Sequence, residues 1–286
     1  MATLAASAPR GRIKWKSSDL LIGGLMVVSM LIVIVPFVWA FFTSLETQKQ
    51  IYAFPPQAIP NPPTLFNYGV QFQEGLAQGL LNSAIVSISA VVLSLVTAAM
   101  CAYPLARIRF RGSNIALFLI IAPMMIPGLV NLVPTYIILA KLALLNSYPG
   151  LILVYWVRSL PISIWILRGF FQTLPGELEE AAVVDGASRF QVLFEIFIPI
   201  SQPALLAVAL LGFIDSWNDF IIASIITSSA DMRTAQVFLY ANMGDTETNW
   251  GGLMASAIVI TLPVVIMFAL LQRRFVAGLT AGALKG

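Results

Sequence analysis

Six long stretches of apolar residues dominate the chain, and shorter polar segments separate them. A helix needs about 20 apolar residues to cross the hydrocarbon core of a bilayer. Each stretch reaches that length, so the pattern predicts six transmembrane helices and an all-α membrane protein. The predicted spans cover residues 19–42, 80–103, 114–139, 149–170, 203–227 and 251–272.

The third stretch is interrupted by Pro123, Pro127 and Pro134, with Asn131 among them. Proline removes a backbone donor and clashes with the preceding helical turn. The pattern therefore predicts a kinked or locally unwound span. Membranes tolerate such breaks where they face protein or a water-filled cavity. A bent packing helix and a helix that lines a translocation path, with Asn131 on it, both fit.

A segment of mixed polarity, about residues 171–202, separates the fourth and fifth stretches. Pro175 suits the first turn of a helix, and Gly186 suits the left-handed position that ends one. Ser188 and Gln191 form an S-x-x-Q capping box that begins a second helix. The pattern predicts a helix, a glycine turn and then an amphipathic helix.

Composition supports a membrane location, because 59% of residues are hydrophobic and only 10% are charged, against about 25% charged in soluble domains. One cysteine excludes an internal disulfide framework. The absence of histidine removes the commonest general base and metal ligand. We therefore predict no catalytic residues and no metal site. Basic residues are not interleaved with exposed aromatics, so nucleic acid is not an expected partner.

The Lys and Arg residues predict the orientation. Twelve lie in or beside the two tails and the segments after the second and fourth spans, whereas three lie in the other loops. Because cytoplasmic segments carry the excess of Lys and Arg, both termini and the loop at about 171–202 are predicted to be cytoplasmic. The predicted divisions are a tail at 1–18, a transmembrane domain at 19–272 and a tail at 273–286.

The loop also carries a fixed-spacing motif. Glu180-Ala181-Ala182 is followed by three residues and Gly186, and nine further residues lead to Ile196-Phe197-Ile198-Pro199. This resembles the signature E-A-A, three residues, G, nine residues, I-x-L-P of ATP-binding-cassette (ABC) importer permeases. Ile198 replaces the leucine. The ATPase-coupling residues that the resemblance implies are Glu180, Ala181, Ala182, Asp185, Gly186, Ile196 and Pro199.

Other stretches resemble the carbohydrate-uptake branch, in particular the smaller six-span subunit of the maltose-permease type. Trp217-Asn218-Asp219-Phe220 in the fifth stretch and the tail from Gln272 to Gly286 are typical of it. The resemblance implies a permease subunit of a binding-protein-dependent importer in the bacterial inner membrane. It would form half of the pathway for a mono-, di- or oligosaccharide, and the loop at about 171–202 would hold its coupling helix.

The resemblance also implies partners. These are a second, different permease, two ATPase subunits that hold ATP and Mg²⁺, an extracytoplasmic solute-binding protein and the lipid bilayer. This chain itself is expected to bind no cofactor and to hydrolyse no ATP, because it lacks the phosphate-binding motif G-x-x-x-x-G-K-[ST]. The tail from Arg273 to Gly286 is a second expected contact with the ATPases.

Polar residues in the fifth stretch form the predicted pathway set, together with Asn131. Asp215 and Asp219 are four residues apart and share a helix face, and Trp217 and Asn218 lie beside them. Ionisable groups in spans usually face a cavity or a partner. One interpretation is a structural hydrogen-bonding cluster. The other is a lining for sugar hydroxyls, with Trp217 as a stacking face. Arg158 in the fourth stretch is interpreted as a snorkelling or paired residue.

Three alternatives remain. The same family could import a polyol or glycerol phosphate, which the sequence does not distinguish from a sugar. An ion-coupled secondary transporter would need carboxylates or histidines placed to titrate in the membrane, and Asp215 and Asp219 leave that interpretation open. A membrane enzyme is disfavoured, because no nucleophile, base and orienting group come together in the sequence.

Overall fold

The computed structural model describes residues 17–57, 59–243 and 248–283. Most of the predicted N-terminal tail and the last three residues of the C-terminal tail lie outside the described residues. In chain order the helices are α1 (Ser17–Ser44), α2 (Gln48–Ile51), α3 (Phe66–Gln73), α4 (Leu76–Arg107), α5 (Ser113–Ile121), α6 (Leu132–Lys141), α7 (Tyr148–Thr173), α8 (Gly176–Val184), α9 (Arg189–Gln191), α10 (Ile198–Ile200), α11 (Gln202–Trp217), α12 (Ile221–Ile226), α13 (Ala235–Ala241) and α14 (Trp250–Ala283). Three 3₁₀ turns (Ala122–Met125, Gly128–Asn131 and Ala230–Met232) and a π-helical segment (Val192–Phe197) join them.

Among the described residues, four helices, α1, α4, α7 and α14, are long and apolar enough to cross a membrane without a break. Two further pairs of helices are long and apolar enough only when each pair is taken together, and both pairs are sharply bent. Ser113–Met125 and Gly128–Lys141 meet at 94°, and Arg189–Ile200 and Gln202–Trp217 meet at 80°. Within the described residues, four of the six apolar stretches are continuous helices, the third is divided into α5 and α6 and the fifth into α11 and α12, and the all-α membrane fold is confirmed.

The break in the third span falls where its prolines predict it. Ile126 is extended, with φ −86° and ψ 122°, because the ring of Pro127 disfavours the helical conformation of the residue before it. The two halves of the span are left as separate short helices, α5 and α6. The predicted kink is confirmed.

The fifth predicted span, 203–227, was wrong as a single helix. Helix α11 ends at Trp217 and α12 begins at Ile221. The carboxylate of Asp219 accepts hydrogen bonds from the backbone N–H groups of Ile222 and Ala223. Because a side-chain acceptor satisfies donors that a helix start leaves unpaired, Asp219 allows a new helix to begin inside the apolar stretch.

Helices α4 and α7 pack against each other along most of their length and form the centre of the bundle. Small residues of α4, among them Ala98 and Ala102, are buried against Leu167 and Phe171 of α7. Small side chains let two helix backbones approach closely in a membrane. Helix α1 instead packs along α14, and none of the apolar part of α1 is buried within the chain.

The end of the bundle opposite α8, here called the far end, is held together by amide side chains. Buried Asn82 of α4 donates from Nδ2 to the carbonyls of Asp231 and Arg233, both at 2.7 Å. Its Oδ1 accepts from the hydroxyl of Tyr148 at 2.6 Å. These bonds fix the segment that precedes α13. Phe238 of α13 is buried against the bundle. Helix α13 therefore packs on the bundle through its buried residues Ala235 and Phe238.

We expect Asn82→Ala to destabilise the chain. The substitution leaves two carbonyls and one hydroxyl at this contact without their partner, at about 1–3 kcal/mol for each group that stays buried. Thermal unfolding of the purified chain in detergent measures the effect as a lower Tm. Asn114→Ala is the control, because Asn114 is exposed on α5 and surface substitutions change stability by about 0.5 kcal/mol or less. Equal Tm values for the two variants would contradict this role of Asn82.

Candidate functional site

The segment between α7 and α11 has the predicted division into two helices. Helix α8 follows Pro175, and Gly186 has φ +87°, in the left-handed region that favours glycine. The Ser188 hydroxyl accepts from the backbone N–H of Gln191 at 3.3 Å, and the Gln191 side chain accepts from the Ser188 N–H at 2.9 Å. This reciprocal pair is the expected capping box.

Helix α8 presents one side to solvent. Glu180, Ala181, Val184, Asp185 and Gly186 are exposed and are called here the α8 surface. Val184 is 86% exposed, so the α8 surface offers an apolar side chain beside the Glu180 carboxylate. Sequence reasoning missed Val184, although its spacing of four from Glu180 places both on one helix face.

The other predicted coupling residues have different surroundings. Ala182 and Ile196 are half-buried and pack against the core formed by α4, α7 and α11. Pro199 is exposed in α10, just before the 80° bend. The motif therefore combines an outward-facing group with residues that attach the loop to the bundle.

Glu179, which the sequence analysis did not select, is the most connected residue of α8. Its side chain is only 12% exposed. Its carboxylate accepts from the Tyr103 hydroxyl at 2.8 Å, forms an ion pair with Arg189, and lies 3.7 Å from Nε of Arg107. These four residues, the Glu179 cluster, join α4, α8 and α9. The signal available in the sequence was the spacing of three between Glu179 and inward-facing Ala182.

Arg107 extends the attachment to two more elements. Its Nη2 donates to the carbonyl of Leu174 at 2.6 Å, and its guanidinium lies 4.9 Å from the ring centre of Phe197. Phe197 is fully buried and contacts Tyr103 and Phe171 edge to face. The C-terminal end of α4 is therefore fixed to both arms of the loop by charge, hydrogen bonds and aromatic packing.

A second cluster lies within the bundle and centres on Arg158. Its Nε and Nη2 donate to Oδ2 of Asp215 at 2.9 and 2.6 Å, and its Nη1 donates to Oδ2 of Asp219 at 2.9 Å. Tyr155 donates its hydroxyl to Oδ1 of Asp219 at 3.0 Å. These four residues are the Arg158 cluster, and they join α7 to the break between α11 and α12.

The two carboxylates of the Arg158 cluster differ in access. The side chain of Asp219 is 10% exposed, whereas that of Asp215 is 54% exposed. Asp219 is held by Tyr155, Arg158 and the start of α12. Asp215 leaves part of its carboxylate open. The spacing of four between the carboxylates indicated their shared face, but the pairing of Arg158 with both was not predictable from the sequence.

The remaining predicted pathway residues, Trp217, Asn218 and Asn131, differ in their exposure. Trp217 is a correction, because it is 3% exposed, its Nε1 donates to the carbonyl of Ile260 and its ring stacks on Phe213. The indole packs helices together and offers no free face for stacking in this structure. Asn218 is exposed and accepts from Gln236 at 3.3 Å. Asn131 is exposed at the end of a 3₁₀ turn in the broken third span.

A cavity of about 340 Å³ opens at the far end, between α1, α2 and α14. Trp39, Tyr52 and Trp250 line it together with Glu46. Burial raises the pKa of the Glu46 carboxyl above its ordinary value. The cavity includes none of the predicted coupling or pathway residues, so it is separate from the candidate site.

Residues 90–280 match the family model of the binding-protein-dependent transport system inner membrane component. Relatives at 30% identity or more span most of the chain. The sulfoquinovosyl glycerol transport permease of Agrobacterium fabrum is 36% identical over 88% of both chains. The trehalose transport permease of Mycobacterium tuberculosis is 34% identical over 88% of this chain and 93% of its own. A diacetylchitobiose uptake permease of Streptomyces coelicolor is 31% identical over 91% and 87%.

The fold is also found in solved structures. A chain of a bacterial ABC transporter involved in the import of the acidic polysaccharide alginate superposes with a TM-score of 0.82. It covers 92% of this chain and 100% of its own length at 23% identity. The matched family region contains the whole segment from α8 to α12, with both clusters. The chain is a multi-pass membrane protein and belongs to the family of inner membrane components of binding-protein-dependent transport systems.

Proposed function

We propose that this chain is a permease subunit of an ABC importer for a sugar. The observation that carries the proposal is the match of residues 90–280 to the family, together with relatives whose named solutes are sugars or sugar derivatives. The chain forms half of the translocation pathway, and a second, different permease forms the other half. An extracytoplasmic binding protein delivers the solute. A transporter of the same fold is known in complex with an alginate-bound periplasmic protein, which supports that partner.

The α8 surface is proposed to dock on the ATPase subunits, which hold ATP and Mg²⁺. Ala181 and Gly186 present little side chain, so a partner can approach the backbone closely. Glu180 offers a carboxylate, and Val184 offers an apolar anchor that is otherwise exposed to water. An exposed apolar side chain beside a charge suits a protein interface better than an anionic lipid surface.

The Glu179 cluster is proposed to pass movement of α8 to the spans. Through Tyr103 and Arg107 the cluster is attached to α4, and through Arg189 it is attached to the arm that bends into α11. Rigid helices joined by short polar contacts move as units, so a displacement of α8 displaces both spans. ATP-driven closure of the ATPases would in this way bias the pathway between inward-open and outward-open states.

The orientation follows from the same proposal. With α8 on the cytoplasmic side, both termini are cytoplasmic, which agrees with the distribution of Lys and Arg. Helix α14 continues to Ala283, beyond the span predicted to end at residue 272. The tail that starts at Arg273 is the proposed second contact with the ATPases.

The ion-coupled alternative receives less support from the geometry. A carboxylate that carries protons must release its partner and titrate. Asp219 is instead fixed by Arg158, Tyr155 and two backbone donors, and Asp215 is paired with Arg158. Import of a polyol or glycerol phosphate by the same architecture is the remaining alternative, and uptake measurements distinguish it.

Uptake by a deletion strain tests the function. We expect loss of the gene to abolish uptake of at least one labelled sugar and the full chain to restore it. The panel contains trehalose, N,N′-diacetylchitobiose, glycerol and glycerol 3-phosphate. Restored uptake of glycerol or glycerol 3-phosphate alone would support the alternative substrate class. Energised uptake that persists when the partner ATPase gene is deleted would contradict the ABC mechanism.

We expect Gly186→Val to reduce the amount of ATPase that copurifies with this chain. A β-branched residue is strained at φ +87°, so the turn that orients the α8 surface changes shape. Gly112→Val is the matched control, because Gly112 has φ +93° in the other loop at this end, and at both positions the space that a side chain would occupy is open. Equal losses of ATPase in the two variants would show that strain alone, and not the position, is responsible.

Substitutions of the neighbouring residues Glu179 and Glu180 are expected to distinguish attachment of α8 to the bundle from docking of α8 on the ATPase. Glu179→Gln weakens a mostly buried ion-pair cluster and should lower stability by about 1–3 kcal/mol. Glu180→Gln removes an exposed charge, so the Tm should be unchanged while copurified ATPase and transport decrease. Thermal unfolding, pull-down and uptake are measured on both variants. A destabilised Glu180→Gln chain, or a Glu179→Gln chain with wild-type Tm, would contradict the assigned roles.

A further inference from the structure

The charged side chains of Arg158 and Asp215 are partly exposed at a depth where a bilayer does not accommodate charge. Arg158 is ten residues from the far-end start of α7, about 15 Å along the helix at 1.5 Å per residue. This is about half of the 30 Å hydrocarbon thickness. Charges at that depth face the bundle interior, a partner or water rather than lipid. The open side of Asp215 therefore marks a face that lipid does not cover.

The guanidinium of Arg158 is occupied on all three nitrogens. Nε and Nη2 bind Asp215, Nη1 binds Asp219, and Nη2 also lies 3.2 Å from the Asp215 carbonyl. Arginine presents its five donors in a fixed fork and always carries its charge. Four hydrogen bonds already engage Arg158 with Asp215 and Asp219, so it is poorly placed to bind an acidic solute as well.

The group left open is a carboxylate oxygen. Within the part of the chain that the structure describes, Oδ1 of Asp215 accepts no hydrogen bond, while Oδ2 is held by two donors of Arg158. Two carboxylates against one guanidinium leave the Arg158 cluster with one net negative charge. Arg158 is also the only Lys or Arg in the central part of any of the six apolar stretches. The face is therefore an acceptor with a negative charge.

We propose that Asp215 is a specificity-determining residue that accepts a hydroxyl of a neutral sugar and disfavours acidic sugars and sugar phosphates. The inference rests on the proposed function and deepens it. A hydroxyl donates to a carboxylate in a charge-assisted hydrogen bond. A carboxylate, sulfonate or phosphate on the solute instead meets a like charge in a region of low dielectric constant, where repulsion is strong. Arg158 is the positioning residue that orients Asp215.

The test measures uptake kinetics in the deletion strain, with the partner subunits present. Labelled trehalose and N,N′-diacetylchitobiose are the neutral probes, and sulfoquinovosyl glycerol and an alginate oligosaccharide are the acidic ones. The wild-type chain is expected to carry a neutral probe and to reject both acidic ones. Asp215→Asn, which keeps the shape and removes the charge, is expected to raise KM for the neutral probe about tenfold, the loss of one charge-assisted bond. It should also lower the ratio of neutral-probe uptake to acidic-probe uptake.

Two controls keep the outcomes separate. Asp215→Glu retains the charge and should retain discrimination against the acidic probes, even where altered reach raises KM. Asp231→Asn removes an exposed carboxylate at the far end and should leave KM unchanged. Membrane abundance is measured for every variant, and KM does not depend on abundance.

The results that overturn the inference are distinct from failure of the proposed function. Transport of none of the sugars by the wild-type chain would refute the proposed function. Transport of a neutral sugar with the same KM and selectivity in Asp215→Asn would instead refute the role of Asp215, and so would a wild-type preference for an acidic probe. Loss of the second permease from the Asp215→Asn complex would assign the open carboxylate to a subunit contact and also overturn the inference.

Discussion

The carboxylate of Glu179 connects three helices, α4, α8 and α9, through polar contacts at one point. It binds Tyr103 of α4 and Arg189 of α9 while belonging to α8, and Arg107 lies beside it and over the ring of buried Phe197. A short helix of nine residues has little stability of its own, so its position depends on these contacts. Because Glu179 points inward, Glu180 and Val184 of the same helix point away from the bundle. The candidate docking surface therefore depends on a residue that is not part of it.

The hydrocarbon environment imposes a similar requirement on the spans. A polar group at membrane depth needs a partner within the protein, since lipid provides none. Asn82 meets this requirement at the far end with two carbonyl acceptors, and Asp219 meets it by beginning α12 inside an apolar stretch. Arg158 has two carboxylate partners, and of these two carboxylates Asp215 is the one that remains largely exposed. Because its carboxylate is incompletely paired, Asp215 is the proposed solute-facing group.

Much of the architecture was predictable because its causes are local. Apolar length located the six stretches, Pro127 located the break in the third, and the spacing of Pro175, Gly186 and Ser188 divided the loop correctly. The errors have tertiary causes. The apolar pattern predicted the fifth span as one helix. The start of α12 instead depends on hydrogen bonds to Asp219 that form only in the folded chain. For Trp217, a stacking face was one of two interpretations, and the structure instead buries the indole against Ile260, which is 43 residues away in sequence. Glu179 and Arg158 act through partners that only folding brings near.

The central claim, that the α8 surface is the ATPase contact, is tested most directly by cross-linking in membranes. The native Cys101 is first replaced with serine, and Val184→Cys then supplies a single thiol on the α8 surface. With a short reagent that carries a maleimide for this thiol and a photoreactive diazirine, which needs no thiol on the partner, the account predicts an adduct between this chain and an ATPase subunit. It predicts none from Phe54→Cys, a 95% exposed position at the far end. An intact complex that gives no ATPase adduct from Val184→Cys, or gives one from Phe54→Cys, would contradict the account.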